Sequence, residues 1–438
     1  MSQIVYRICV LLGYVLISVP LGTNLGLFYL LFAILSGRLL ASRGALFPAL
    51  QDLGLPKDAV RRSVAALAYG RFQIADLLRN WQARVLAEGQ FQAHCYEGFR
   101  PVACDLIGFF RPRLRGCLHK HYHSGADKAL PAIVLAVVGA VGSVGKQRLA
   151  LPRHLLHQEQ NETETDLAKR AIRQMADSLA EDETALVDAG FSVALIQEGG
   201  VGRFVARGRT NATFRRNVLP EYKGHGRHCE YGDLVRVLPG ERADKPIVAT
   251  PPDATARFKD GRYKVRVHLW YNLVLPDQKP GAPTIRCIVF FHPRYKHPLV
   301  LVTNLCVTAF ALLCLYRDRW PIEQLPLSAK QMLGAERSFV SSQESRTRLP
   351  ELALLAGNIL SYVAATSAPV ATGFWDRACR ATCGRLRRAL SGVHFWELSL
   401  VEGQLREKQS ATWQLPKGVE GCRRQKASKM PLERRKAA

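Results

Sequence analysis

The chain has 438 residues, 48% of them hydrophobic, and a formal charge of +25 from 61 Lys and Arg against 36 Asp and Glu. That length and apolar content exclude a disordered chain and allow a sizeable core in more than one domain. The charge excess argues against a neutral metabolic enzyme and suits a polyanion, either nucleic acid or an anionic membrane surface. Eleven cysteines without a CxxC pair fit a reduced, cytosolic setting.

Residues 1–98 carry apolar segments at helical spacing, such as Ala59–Leu67 and Gln73–Trp81, and no strong strand signal. The apolar run Ile8–Leu35 is split by Pro20, Thr23 and Asn24 into pieces too short to span a bilayer. From Val102 the pattern changes to strands: Val102–Phe110 with Asp105 inside it, Ala132–Val144, and Arg148–Pro152. A polar helix over Asp166–Leu179 follows, then a strand ending on Asp188, a helix over Phe191–Gln197, and a strand from Arg203. This order fits a mixed α/β sheet. Residues 212–298 read as all-β, with Tyr263–Leu275 alternating apolar and polar and Ile285–Phe291 apolar. The apolar run Leu299–Tyr316 reads as a buried strand leading into a core helix rather than a membrane span. Beyond residue 330 the chain is helical, notably Pro350–Ala365, and residues 367–438 form a basic helical region and tail that includes Arg423, Arg424, Lys426, Lys429, Arg434, Arg435 and Lys436.

Three acidic residues stand out. Asp105 lies mid-strand in apolar company, where a lone carboxylate is costly unless neutralised, paired or metal-bound. An ion pair with Arg111 or Arg113 is the plain alternative. Asp188 sits where a strand ends, a favoured place for function, and alternatively caps the helix starting at Phe191. Asp182 is a nearby competitor, but it precedes the strand. Glu323 follows Pro321, a good first-turn residue, so it belongs in the first turn of a new helix near the positive helix end. Pro326 should bend that helix.

Around Glu323 the spacing is specific: Tyr316, two residues, Arg319, three residues, Glu323, six residues, Lys330. It resembles the Tyr-Arg-Glu-Lys signature of bacterial insertion-sequence DDE transposases. Asp105, followed shortly by basic residues and proline, is similar to that family's first-strand motif, and Asp188 with Gly190-Phe191 to its second. The resemblance covers roughly residues 100–365. It implies an RNase H-like mixed sheet in two parts, 99–211 and 299–366, interrupted by the β-rich insertion 212–298, with the N-terminal helices reading the element's DNA ends. It further implies that Asp105, Asp188 and Glu323 bind two Mg²⁺ ions, with Mn²⁺ as a substitute, for DNA strand cleavage and strand transfer. Tyr316, Arg319 and Lys330 would hold DNA phosphates, the last two as fork and point charge. The implied partners are double-stranded DNA and a second copy of the chain, in a prokaryotic cytoplasm at the nucleoid and without a membrane. Alternatives are a transposase-derived DNA-binding protein without catalysis, a basic membrane protein, or, for the signature alone, Arg319 and Lys330 paired with Glu323 on a helix surface.

Weaker patterns read as structural. Cys117, His119, His121 and His123 alternate on one strand face, but a zinc site would need a turn to converge them. DNA contact or exposure is the simpler reading. Gly139, Gly142 and Gly145 are not followed by the lysine-threonine of a phosphate loop in Walker spacing. Trp270, Tyr271, Phe290, Phe291 and Tyr295 could stack on a base, but sheet core is expected for each. Cys379 and Cys383 read as packing residues on a helix.

Overall fold

The computed structural model describes residues 2–397 except 113, 115, 118, 223, 243, 244, 338, 341 and 372. Arg113 and the basic tail therefore lie outside the described residues.

The first helices are α1 (Ser2–Val15), α2 (Thr23–Leu35), α3 (Arg38–Ala41), α4 (Leu46–Asp52), α5 (Lys57–Tyr69) and α6 (Ile74–Ala87). α2 is apolar along almost its whole length and is buried on nearly every side, between α5 and a later helix. Amphipathic α5 and α6 turn Ala59, Leu67, Leu77 and Trp81 inward. The helical stretch ends before residue 98: β1 (Phe91–Ala93) is a short strand paired antiparallel with β4. Three residues give no sequence signal of their own; the long neighbour supplies the ladder.

Next come β2 (Arg100–Phe110), β3 (Lys120–His123), β4 (Lys128–Val144), β5 (Gln147–His157), α7 (Glu164–Ser178), β6 (Glu183–Val187), α8 (Val193–Glu198) and β7 (Phe204–Arg207). β2 runs antiparallel to β4 and parallel to β6, β4 is antiparallel to β5, and β6 is parallel to β7. The order across this half is thus β5-β4-β2-β6-β7. Its central strands are near-continuous apolar runs, as expected of strands covered on both faces.

After β7 the sheet continues through β8 (Thr213–Arg216), β9 (Leu234–Arg236), a separate hairpin of β10 (Gly240–Arg242) and β11 (Lys245–Ile247), β12 (Ala254–Asp260), β13 (Tyr263–Val274), β14 (Ile285–Phe291) and β15 (Leu299–Thr303). β15 hydrogen-bonds antiparallel to β7, joining both halves into one mixed sheet. Helices close the described chain: α9 (Ala309–Arg317), α10 (Trp320–Leu327), α11 (Gln343–Thr366) and α12 (Cys383–Leu390).

α11 is long and apolar enough to cross a bilayer, but 83% of its apolar window is buried inside the protein. It packs between the N-terminal helices and the sheet. There Asn358 accepts from Trp81 Nε1 (2.7 Å) and donates to the Ala150 carbonyl (2.6 Å). The N-terminal helices and one sheet face therefore share a single hydrophobic core.

Candidate active site

The register between β2 and β6 sets the site. Ala103 pairs with Leu186, so two residues further on Asp105 stands level with Asp188, on neighbouring strands about 4.8 Å apart. Both point to the same side, because the shift of two preserves the face. Asp188 Oδ1 accepts from the Gly190 amide at 2.8 Å, an Asx turn that ends the strand. It does not cap the following helix; Ser192 does. Asp182 is exposed and engaged with Arg100 at 2.5 and 2.7 Å.

The third carboxylate arrives on α10, which lies over β2, β4 and β5. Close approach requires Gly139: a Cβ there would stand 3.0 Å from both Ile322 Cδ1 and the Leu151 carbonyl oxygen. Glycines 139 and 142 thus serve packing; a Cβ at Gly142 would meet the Gln92 oxygen at 2.2 Å. α10 begins with Pro321 in its first turn and carries Glu323 there. Pro326 lies inside the helix, and immediately after it the chain widens into a π-turn, Ser328–Met332. A proline removes one i→i−4 donor, and the wider turn absorbs that defect.

Asp105 is half-buried and its carboxyl is pushed up to about 7, first by burial, then by the charge of Asp188, with Glu323 adding to it and Arg319 opposing. The three acids therefore share one field. Arg111 is not the partner of Asp105: its guanidinium donates to the carbonyls of Ala335 (2.6 Å) and Glu336. Arg319, almost fully buried, pairs with Glu323 at 2.5 Å and lies 5.6 Å from the centre of the Tyr316 ring. Burial opposes its charge, but Tyr316, Glu323 and Asp105 outweigh that and raise its pKa. Its Nε is buried without a hydrogen-bond partner among the described residues. Lys330 does not pair with Glu323. Its ammonium sits 5.3 Å from the ring centres of Phe109 and Phe110, and burial lowers its pKa.

Beside these residues opens a groove of about 750 Å³. Arg148, Arg207, Arg294, Lys296, Arg317 and Arg319 line it, with Tyr295, Tyr316 and Trp320, and no carboxylate is among the described lining residues. Arg148, Arg207 and the pair Arg294 and Lys296 come from three separate segments, so no local sequence pattern marks them as one surface. Of the five aromatics considered for base stacking, Trp270 and Phe290 are core, whereas Tyr295 faces the groove. Trp320, 60% exposed, carries the stronger signal: a large ring left open beside Arg319.

The cysteine–histidine alternation does not converge. His121 Nδ1 is 3.2 Å from Glu164, His123 accepts from the Ala126 amide, and Cys117 lies before β3, next to the Ala132 carbonyl. Cys379 precedes α12 rather than lying on it, and Cys383 contacts Ser361. Among the described residues no group of three or more His, Cys, Asp and Glu stands close enough to hold one metal ion together. The chemistry of the donor set still fits a hard divalent cation: three carboxylates, a carboxyl pKa raised first by burial and then by the neighbouring acids, and a buried guanidinium now supplying the positive charge.

No protein-family model matches the chain, and no curated protein matches it in sequence.

Proposed function

We propose that this protein is a DDE-type transposase of the insertion-sequence class, cutting and rejoining DNA at a site built from Asp105, Asp188 and Glu323. One observation carries the reading. Carboxylates from the middle of β2, the end of β6 and the first turn of α10 influence one another in one field, and the last of them, Glu323, is the acid of the Tyr-Arg-Glu-Lys signature. The strand order β5-β4-β2-β6-β7, with only the β5–β4 and β4–β2 pairings antiparallel, supports an RNase H-like core, and the strands 213–291 support the β-rich insertion.

When bound, two Mg²⁺ ions supply activation of the attacking oxygen and stabilisation of the leaving oxygen. Asp105 and Asp188 would hold them from the sheet and Glu323 from the helix. Arg319 and Tyr316, at the groove wall, grip the phosphate backbone and orient the scissile strand; the unpartnered Nε of Arg319 is a donor ready for a phosphate oxygen. Lys330, kept by burial against the aromatic wall of β2, adds a point charge. Arg148, Arg207, Arg294 and Lys296 extend the track for the strand. A homodimer pairing two DNA ends, in the cytoplasm at the nucleoid, follows from the same reading.

DNA binding without cutting is the second reading, favoured by the Arg319–Glu323 pair, which engages the third carboxylate. Strand cleavage of a duplex carrying the gene's flanking ends, in Mg²⁺, separates the two. Cutting by the wild type and none by Glu323→Gln, with binding kept in both, supports the nuclease. Binding without cutting by either moves the assignment to the second reading.

A further inference from the structure

Asp318 lies between Arg317 and Arg319, five residues before Glu323, and is wholly buried. It closes α9 as its C-cap, and Arg319 opens α10 directly after it. Its carboxylate is met by His94 Nδ1 at 2.6 Å, Tyr96 Oη at 2.8 Å and Arg148 Nη1 at 3.3 Å. Burial, then the charge of Asp318, raises the Tyr96 phenol, which therefore stays a donor. At the other end of the same helix, Thr308 is the N-cap, and the Glu97 carboxylate accepts from its amide at 3.0 Å and its hydroxyl at 2.5 Å. Glu97 adopts a left-handed φ of 50°, a conformation a side-chain-bearing residue holds only where its surroundings impose it.

His94, Tyr96 and Glu97 all belong to the six-residue connection between β1 and β2. That connection leads from the N-terminal helices into the strand that bears Asp105. One short segment thus grips α9 at its first and last turns. A helix of nine residues spans about 13.5 Å, so the two grips fix both its position and its tilt.

We infer that residues 94–99 form a two-point clamp on α9 that positions the Arg319–Glu323 turn against Asp105, with Asp318 as its principal positioning residue. The consequence for reaction rests on the transposase reading; the clamp itself does not. Through Arg148, the same carboxylate also holds one cation at the groove wall. Thr308, Asp318 and the 94–99 connection supply none of the side chains assigned to the ions or the phosphate, so their effect runs through placement alone.

The test is Asp318→Asn in the full chain, with amide hydrogen exchange followed over residues 309–327 and, as internal reference, over 132–157. Exchange in 309–327 should accelerate at least about tenfold while the reference stays fixed, as for a local unit that loses its anchors. Single-turnover cleavage at saturating DNA should fall about 30-fold with Kd for DNA within about twofold, the mark of misplacement rather than lost binding. Glu97→Gln should act in the same direction more weakly. If Asp318→Asn does not fold, Tyr96→Phe removes one donor and carries the same test. Unchanged exchange over 309–327 in a folded variant overturns the clamp whatever the activity. Faster exchange with an unchanged cleavage rate overturns the positioning role. Faster exchange in a protein whose wild type never cuts upholds the clamp and removes the nuclease reading instead.

Discussion

Two acidic sites, one around Asp318 and one of Asp105, Asp188 and Glu323, come within five residues of each other at Asp318 and Glu323 and are built on opposite terms. Asp318 is fully buried and surrounded by donors from His94, Tyr96 and Arg148. Asp105 is half-buried and faces other acids, Asp188 and Glu323, with Arg319 opposing the shift. Burial alone would have pointed to Asp318 as the unusual residue. The difference lies in the company: a carboxylate met by two hydrogen bonds and a guanidinium stabilises the fold, whereas one facing its own kind carries a standing cost that a ligand can relieve.

The largest expected effect breaks the second cluster. Glu323→Gln should lower strand cleavage by at least ~10³-fold, and because buried Arg319 loses its charged partner the melting temperature should fall modestly, measured on the same preparation. Asp318→Asn should cost more stability, about 3 kcal/mol in urea unfolding, because three donors lose their charged acceptor. Glu183 extends the comparison to a third acid. It is buried, takes both Nη atoms of Arg153 at 2.5 and 2.7 Å and the Ala180 amide at 3.1 Å; burial opposes the shift, but these donors outweigh it and hold its pKa below the usual range. A depressed folded pKa gives stability that is present above the unfolded value and is lost as pH falls through the folded one. Glu183→Gln should therefore cost about 2 kcal/mol at pH 7, and the gap to wild type should close as pH drops below about 4. Asp105→Asn should stabilise by up to about 1 kcal/mol, since it removes repulsion; a loss comparable to that of Asp318→Asn would abolish the contrast. The smallest effect concerns the groove. Arg294→Ala or Lys296→Ala should each weaken DNA binding a few-fold and lower the salt slope by about 1.

Much of this was readable from the residues. The strands around Asp105 and Asp188 declare themselves as long apolar runs, and Pro321 marks where the helix of Glu323 starts. The π-turn after Pro326 could be expected only as a bend, because whether a proline kinks or widens a helix depends on what the next turn packs against; here it is α11. β1 was invisible because three residues owe their conformation to β4. The pairing of β15 with β7, which merges the two halves of the sheet, is a long-range register that no local pattern encodes. The cations of the groove and the donors of Asp318 were hidden for the same reason, being scattered from residue 94 to residue 319.

The placement of α11 bears on how the chain is made. Its residues supply the centre of the core shared by α2, α5, α6 and β5, with Arg348 donating to the Leu67 carbonyl and Tyr362 to Glu88. The first 90 residues therefore emerge from the ribosome long before the surface they bury against exists. They wait with apolar faces uncovered until residue 366 has been synthesised, which makes folding late, non-local and dependent on protection of the nascent helices.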